Sequence, residues 1–178
     1  MTAKTTWILD PAHSEISFRV KHLMISNVKG VFTEFSAETS TENDDFSQAS
    51  ISVNINTASV NTGNADRDAH LRSADFFDAG TFPAINFTSD SLTKKDDENY
   101  KLSGELTIRG ISKPISLDVE YGGLMKDPWG NVKAGFSVSG KINRKDWGLN
   151  WNAALETGGV LVSDEVRISA EVQFLKQS

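Results

Sequence analysis

Residues 166–174 read VRISAEVQF, with an apolar side chain at every second position and Arg167, Ser169, Glu171 and Gln173 between them. A period of two is typical of a strand that buries one face and leaves the other in water. The end of this chain therefore predicts a long, half-buried β-strand.

The same alternation recurs through most of the 178 residues. It predicts a first strand near Thr6, clear strands over 16–20, 51–55, 102–108, 115–121 and 132–138, and weaker ones over 28–37 and 84–92. Short segments rich in Gly, Pro, Asp and Asn separate these runs, which favours antiparallel hairpins. About eight such strands predict an all-β fold, either a closed antiparallel barrel, which has no free edges, or a β-sandwich.

One stretch breaks this rhythm. Residues 64–77 read NADRDAHLRSADFF, which predicts a short helix with Asn64 as its N-cap. Arg67, His70 and Leu71 share a face of this helix, which we expect to pack against the barrel. No repeat or change of composition divides the chain, so residues 1–178 are expected to form a single domain.

Composition excludes several classes of function. The net charge of −6 argues against a nucleic-acid partner, and the absence of cysteine excludes disulfides, cysteinyl metal sites and cysteine nucleophiles. No apolar run is long enough for a membrane-spanning helix, and the first residues do not resemble a signal peptide. We therefore expect a cytoplasmic protein, or a periplasmic one if a leader has been removed.

Signatures of catalysis are scarce, and the three histidines are the main candidates. His13, His22 and His70 could converge on a metal or a polar headgroup, but their spacing matches no metal-binding pattern, and hydrogen bonds to a loop or to a carboxylate such as Asp10 or Asp68 are the simpler explanation. No metal site is therefore predicted. Arg67 offers a planar donor group for a phosphate or carbonyl headgroup, or simply an ion pair that fixes the helix.

The apolar strand faces indicate the nature of a ligand. A barrel with a uniformly apolar interior would hold a hydrocarbon. Parity assigns to its wall Phe18, Val20, Val53, Ile55, Phe87, Leu106, Ile108, Phe136 and Val138. The segment from Asn143 to Trp151 follows a strand and is expected either to form the mouth or to plug one end of the barrel.

Several motifs together resemble the YceI-like family of bacterial lipid-binding proteins from about Trp7 to Phe174. They include WILDPAHS (7–14), VKHL (20–23), GVF (30–32), RDAHL (67–71), DFFD (75–78), FPAINF (82–87), GELTIRG (104–110) and NRKDWG (143–148). The resemblance implies an extended, lipocalin-like eight-stranded barrel whose tunnel holds a polyisoprenoid or a quinone tail. With the wall residues above, the predicted ligand-binding set also contains His22, Arg67, His70, Leu71, Phe76, Phe77 and Trp147.

The sequence therefore predicts a non-catalytic protein that binds, stores or transports an amphiphilic lipid. No cofactor is expected apart from this polyisoprenoid or quinone-like lipid. The resemblance leaves a homodimer open, because several family members are dimers. Two alternatives stay open: a lipid-modifying enzyme that uses His70 with Asp68 or His13 with Asp10 as an acid–base pair, and a structural barrel without a ligand.

Overall fold

The structure is a computed structural model that describes residues 4–23, 25–152 and 161–177. It contains strands, three short 3₁₀ turns (Pro11–His13, Thr57–Ser59 and Arg144–Trp147) and one α-helix. In chain order the elements are β1 (Lys4–Leu9), β2 (Glu15–His22), β3 (Ser26–Phe32), β4 (Phe35–Glu42), β5 (Asp45–Asn56), β6 (Val60–Asn61), α1 (Ala65–Arg72), β7 (Ala84–Lys94), β8 (Asn99–Ile108), β9 (Ile111–Lys126), β10 (Val132–Asn143) and β11 (Val162–Lys176).

The sheet closes on itself. Its strands follow the order β1-β4-β5-β7-β8-β9-β10-β11, and β11 pairs back with β1. The remaining strands extend this ring lengthwise, because β2 pairs with the first part of β11, β3 pairs with β2, and β6 pairs with β3. Closure confirms the predicted eight-stranded antiparallel barrel and distinguishes it from a two-sheet sandwich.

Two of the long strands of the barrel are interrupted by turns, between β1 and β2 and between β3 and β4, and the second of these breaks was not foreseen. Residues 28–37, predicted as one strand, are two strands divided at Thr33 and Glu34, whose backbone groups bond Ser59 O and Asn56 N instead of continuing the β2 ladder. Between β1 and β2 the chain makes a 3₁₀ turn in which the Asp10 carboxylate accepts the backbone N–H of Ala12 at 3.1 Å.

Helix α1 begins as predicted and ends earlier than predicted. The Asn64 side chain accepts the Arg67 N–H at 3.0 Å, which confirms the N-cap. The helix stops at Arg72 rather than Phe77, because the Ser73 hydroxyl donates to the His70 carbonyl and ends the helical ladder. The following residues form tight turns, with Asp78 at a positive φ of 50°.

The two-residue loop between β8 and β9 shows how the sequence sets the barrel register. Arg109 and Gly110 both have positive φ angles, 52° and 70°, and they join Ile108 directly to its partner Ile111. This is the geometry of a type I′ turn, whose twist matches that of the flanking strands. Within the described residues, no helix has the length and apolar character needed to cross a bilayer.

Candidate functional site

The barrel encloses a cavity of about 570 Å³ between the inward faces of its strands. This volume falls within the range of small-molecule sites. All nine wall residues chosen by parity line it: Phe18, Val20, Val53, Ile55, Phe87, Leu106, Ile108, Phe136 and Val138. The structure therefore places these side chains where the alternation put them, while their contact with a ligand stays a prediction.

Aromatic rings close one end of the cavity. The ring centroid of Phe46 lies 5.0 Å from those of Trp7 and Phe136, and the Tyr121 ring stacks on Phe136 at 5.1 Å. Burial raises the pKa of the Tyr121 hydroxyl, so this side chain stays neutral. Phe174 adds an edge-on contact to Phe136 at 6.1 Å. The result is an apolar floor that offers no charge to a ligand.

Polar side chains gather at the opposite end, here called the mouth. His22 stands there at the end of β2, and α1 contributes Arg67, His70 and Leu71 to the cavity lining. The turn after α1 adds two aromatic rings, Phe76 and Phe77, to the lining. The predicted mouth residues thus converge although they lie about fifty residues apart in the sequence.

Arg67 is held by hydrogen bonds rather than by an ion pair. Its Nε donates to Thr62 Oγ1 at 2.7 Å, and its Nη2 donates to the Thr62 carbonyl at 2.9 Å. The buried Asp68 carboxylate accepts the Thr62 hydroxyl and N–H at 2.6 and 2.8 Å, which fixes Thr62 in turn. Among the described residues, Arg67 has no carboxylate partner. Thr62 therefore orients the guanidinium while its positive charge remains without a counter-ion.

His70 belongs to an aromatic group at the mouth. Its ring meets Trp151 edge-on at 4.6 Å and Phe76 at 5.0 Å, and Nε2 lies 2.9 Å from Asp75 Oδ2. The partner of His70 is therefore Asp75 and not Asp68. The hydrogen bond orients the imidazole without burying it, since the side chain is 36% exposed.

The other proposed acid–base pair is present but lies away from the cavity. His13 Nδ1 is 2.7 Å from Asp10 Oδ2, in the 3₁₀ turn between β1 and β2. This hydrogen bond is the main cause that lowers the pKa of Asp10. Neither residue belongs to the cavity lining. Across the part of the chain that the structure describes, no three His, Asp or Glu side chains gather as metal ligands would.

Arg144 is a mouth residue whose role the sequence did not reveal. It is 3% exposed, and its guanidinium donates to four backbone carbonyls: Nε to Ser163, Nη1 to Leu149 and Trp151, and Nη2 to Val162, at 2.6 to 3.3 Å. Burial lowers the pKa of Arg144, and Asp164 at 3.8 Å opposes that shift. The four hydrogen-bond acceptors are main-chain carbonyls, which no side-chain motif in the sequence can predict.

Trp147, predicted to bind ligand, does not belong to the cavity lining. Its ring is 2% exposed, and Nε1 donates to the Leu106 carbonyl at 2.9 Å. Gly148, with a positive φ of 75°, follows it and accepts a bond from Arg109 Nη1 at 2.8 Å. We therefore correct the assignment: Trp147 anchors the Arg144–Trp147 turn to β8, and the nearby indole that lines the mouth is Trp151.

Comparison with known proteins identifies the family to which this barrel belongs. Residues 7–174 match the YceI-like domain. The chain is a member of the YceI-like family. This confirms the resemblance seen in the motifs.

Relatives of the YceI-like chain cover nearly its whole length. A UPF0312 protein of Staphylococcus aureus strain N315 is 41% identical over 171 residues, which are 96% of this chain and 97% of the relative. The Campylobacter jejuni YCEI crystal structure is 40% identical, with a TM-score of 0.75 over 89% of this chain and 90% of the other.

More distant structures share the fold. BcnA of Burkholderia cenocepacia superposes with a TM-score of 0.80 at 24% identity, covering 93% of this chain and 98% of its own. A polyisoprenoid binding domain from Saccharophagus degradans gives a TM-score of 0.73 at 17% identity and covers essentially both chains. The barrel architecture is therefore preserved where most side chains differ.

Proposed function

We propose that this YceI-like protein binds a long amphiphilic lipid of the polyisoprenoid type without transforming it. The observation that carries the proposal is the cavity of about 570 Å³, lined almost wholly by apolar side chains along its walls and floor and by charged side chains at one end. A ligand that matches this pattern has a long hydrocarbon tail and a single polar head. The family membership and the similarity of the fold to a named polyisoprenoid binding domain support the same class.

Affinity would come mainly from the tail. Each methylene removed from water contributes about 0.8 kcal/mol, before the costs of ordering the ligand are subtracted. The two hydroxyl side chains in the described strand walls, Ser17 and Thr39, already donate to the carbonyls of Ser169 and Ser50, which leaves the walls little means of polar selection among tails. Selectivity among tails would therefore depend on length and shape rather than on polar recognition.

The head would be oriented at the mouth. Arg67 Nη1 forms no hydrogen bond with any residue that the structure describes, whereas Nε and Nη2 are occupied by Thr62. A phosphate or carbonyl oxygen is a suitable acceptor for such a held guanidinium. His22 and His70 line the same end. An isoprenoid quinone and a prenyl pyrophosphate both fit this description.

The direct test is chemical extraction. The purified chain is extracted with organic solvent and the extract is analysed by mass spectrometry, and the delipidated chain is then titrated with an isoprenoid quinone, a prenyl pyrophosphate and a fatty amide. A stoichiometric lipid in the extract, or saturable binding of one of these compounds, is the expected result. A clean extract together with no saturable binding would remove the proposal and favour a structural barrel.

A lipid-modifying enzyme is the second candidate, and the contact between His70 and Asp75 at the mouth is the observation that favours it. A histidine oriented by a carboxylate can act as a general base. His70→Gln keeps a hydrogen-bonding side chain and removes proton transfer. Turnover of a lipid ester or pyrophosphate that disappears in this variant would support catalysis, whereas lipid binding without turnover in the parent chain would support the carrier.

A further inference from the structure

Four basic side chains form a row across the outside of the barrel. Lys141 on β10, Arg167 on β11, Arg19 on β2 and Lys29 on β3 lie directly opposite one another in the antiparallel ladders. Each stands between residues of the inward face, so all four point to solvent. Three of them are 54 to 63% exposed. We call these four residues the basic row.

The basic row is only partly neutralised. Glu165 lies 3.6 to 3.7 Å from two of its side chains, and Glu15 lies 3.2 Å from a third. Arg19 has no ion-pair partner within the described residues. Like charges directly opposite one another destabilise a sheet. The row itself therefore holds four basic side chains against two carboxylates, a local excess of positive charge in a chain whose net charge is −6, and its arrangement does not stabilise the barrel.

An apolar hairpin tip continues from the same strands to the cavity mouth. Strands β2 and β3 are joined through Leu23-Met24-Ile25, and Ile25 is 85% exposed while Leu23 is 39% exposed. Hairpin turns normally carry Gly, Asn, Asp or Ser. The Leu23 N–H donates to the carbonyl of Leu161, a residue that lines the cavity, at 2.8 Å. The exposed tip is thus continuous with the entrance to the tunnel.

Basic side chains beside an exposed apolar tip match the surface of an anionic bilayer. Apolar residues enter the headgroup and acyl boundary, while Lys and Arg are attracted to anionic lipids. Arg19 lies four residues before Leu23 on an extended strand, which is a separation of about 13 Å. One contact surface can therefore engage headgroups through the basic row while the tip is inserted.

We propose that the chain docks on anionic phospholipid membranes through the basic row and the Leu23 and Ile25 tip, with the cavity mouth against the bilayer. The membrane is the site where a lipid enters or leaves the tunnel. This surface lies outside the cavity, so docking is a property beyond the proposed function. It rests on that function in one respect, because lipid binding is the reason for the chain to contact a membrane. Docking itself requires no cargo, so the two can be tested separately.

The test is co-sedimentation of the full chain with vesicles. One set contains 30% phosphatidylglycerol in phosphatidylcholine, and the other contains phosphatidylcholine alone. We expect binding to the anionic vesicles that falls between 0.05 and 0.5 M salt, because screening weakens the attraction. The Arg19→Gln, Arg167→Gln variant should bind roughly 25-fold more weakly, at about fivefold for each basic residue.

Matched controls separate this surface from general charge and apolarity. Lys101→Gln with Lys126→Gln removes two charges from β8 and β9 toward the floor end of the barrel and should leave binding unchanged. Leu23→Ser with Ile25→Ser should weaken binding, whereas Trp129→Ser should not. Trp129 is 83% exposed at the other end of the barrel, so it serves as the apolar control.

Absent binding, equal binding to both vesicle types, or equal loss in the control variants would overturn the docking proposal. Binding to soluble poly-glutamate but not to vesicles would overturn it in favour of an acidic protein partner. Circular dichroism checks that each variant is folded. Vesicle binding by a chain whose extract contains no lipid and that shows no saturable lipid binding would leave docking intact and refute the carrier function instead.

Discussion

The clearest test of the tunnel is a substitution that narrows it halfway along. Ala170 lies near the middle of β11, paired with Ile16 on β2 and Val138 on β10, and it lines the cavity. Ala170→Leu adds three carbon atoms on the inward face. In a barrel that holds a hydrocarbon tail, these carbons occupy space that the tail would fill.

The magnitude follows from the displaced carbons. If three added carbons displace about three methylenes of the ligand, the loss is about 2.4 kcal/mol at 0.8 kcal/mol each. That loss corresponds to roughly 50-fold weaker binding, since 1.4 kcal/mol is a factor of ten. The stability of the delipidated protein should not fall, because the new side chain fills empty apolar space. Its free energy of unfolding should stay constant or rise.

Two measurements on delipidated protein check this. Displacement of N-phenyl-1-naphthylamine by geranylgeraniol gives the affinity, and urea unfolding gives the stability. Ser169→Leu is the matched control, because the neighbouring position faces outward and should not affect the affinity. An unchanged affinity in Ala170→Leu would show that the tail does not reach mid-barrel. A stability loss of more than about 1.5 kcal/mol would show that the interior is already filled, as overpacking costs that much.

Three further predictions concern the structure around the tunnel. Trp147→Phe should lower the free energy of unfolding by about 1 to 3 kcal/mol in urea titrations, because the buried Leu106 carbonyl loses its donor, and geranylgeraniol affinity should change little. Arg144→Lys should cost at least about 3 kcal/mol by the same measurement, since an ammonium cannot bond four carbonyls in the geometry of a guanidinium, and near-parental stability would contradict the role assigned to it. The hydrogen bond from His13 lowers the pKa of Asp10 below 3.8, so its stabilisation is fully present above that pH and is lost as the pH falls through the lowered value. Asp10→Asn should therefore be less stable than the parent at pH 7, and a stability difference that persists undiminished well below pH 3.8 would refute this account.

The sequence predicted the barrel and its inner surface because one physical rule governs both. In a half-buried strand, parity decides which face each side chain occupies, so residues such as Phe87 and Val138 could be assigned inward without knowledge of their neighbours. The Asn64 cap was equally readable, since its bond is local. Closure of the barrel could be inferred only from the general rule that it removes free strand edges, because no local sequence pattern indicates that β1 pairs with β11.

The parts that the sequence could not supply depend on distant backbone atoms. Arg144 binds main-chain carbonyls on two separate segments, and a carbonyl is the same at every residue. Trp147 was assigned to the mouth from its place in a polar loop, but its indole found an acceptor on β8. The break at Thr33 and Glu34 likewise reflects partners at 56 and 59. In each case the competing interaction was long-range and involved no side-chain pattern.

The pairing of Trp7 with Lys176 has a consequence for the order of events during synthesis. Strand β11 joins β1, β2 and β10, so the ring stays open until residues 162–176 have left the ribosome. Contacts over such separations make folding slow, because a long loop must close before they form. Until then, β1 and β10 each present a free edge that is open to pairing with other chains. Under the proposed function, a lipid could not guide these earlier steps, because the cavity that would hold it does not exist until the ring has closed.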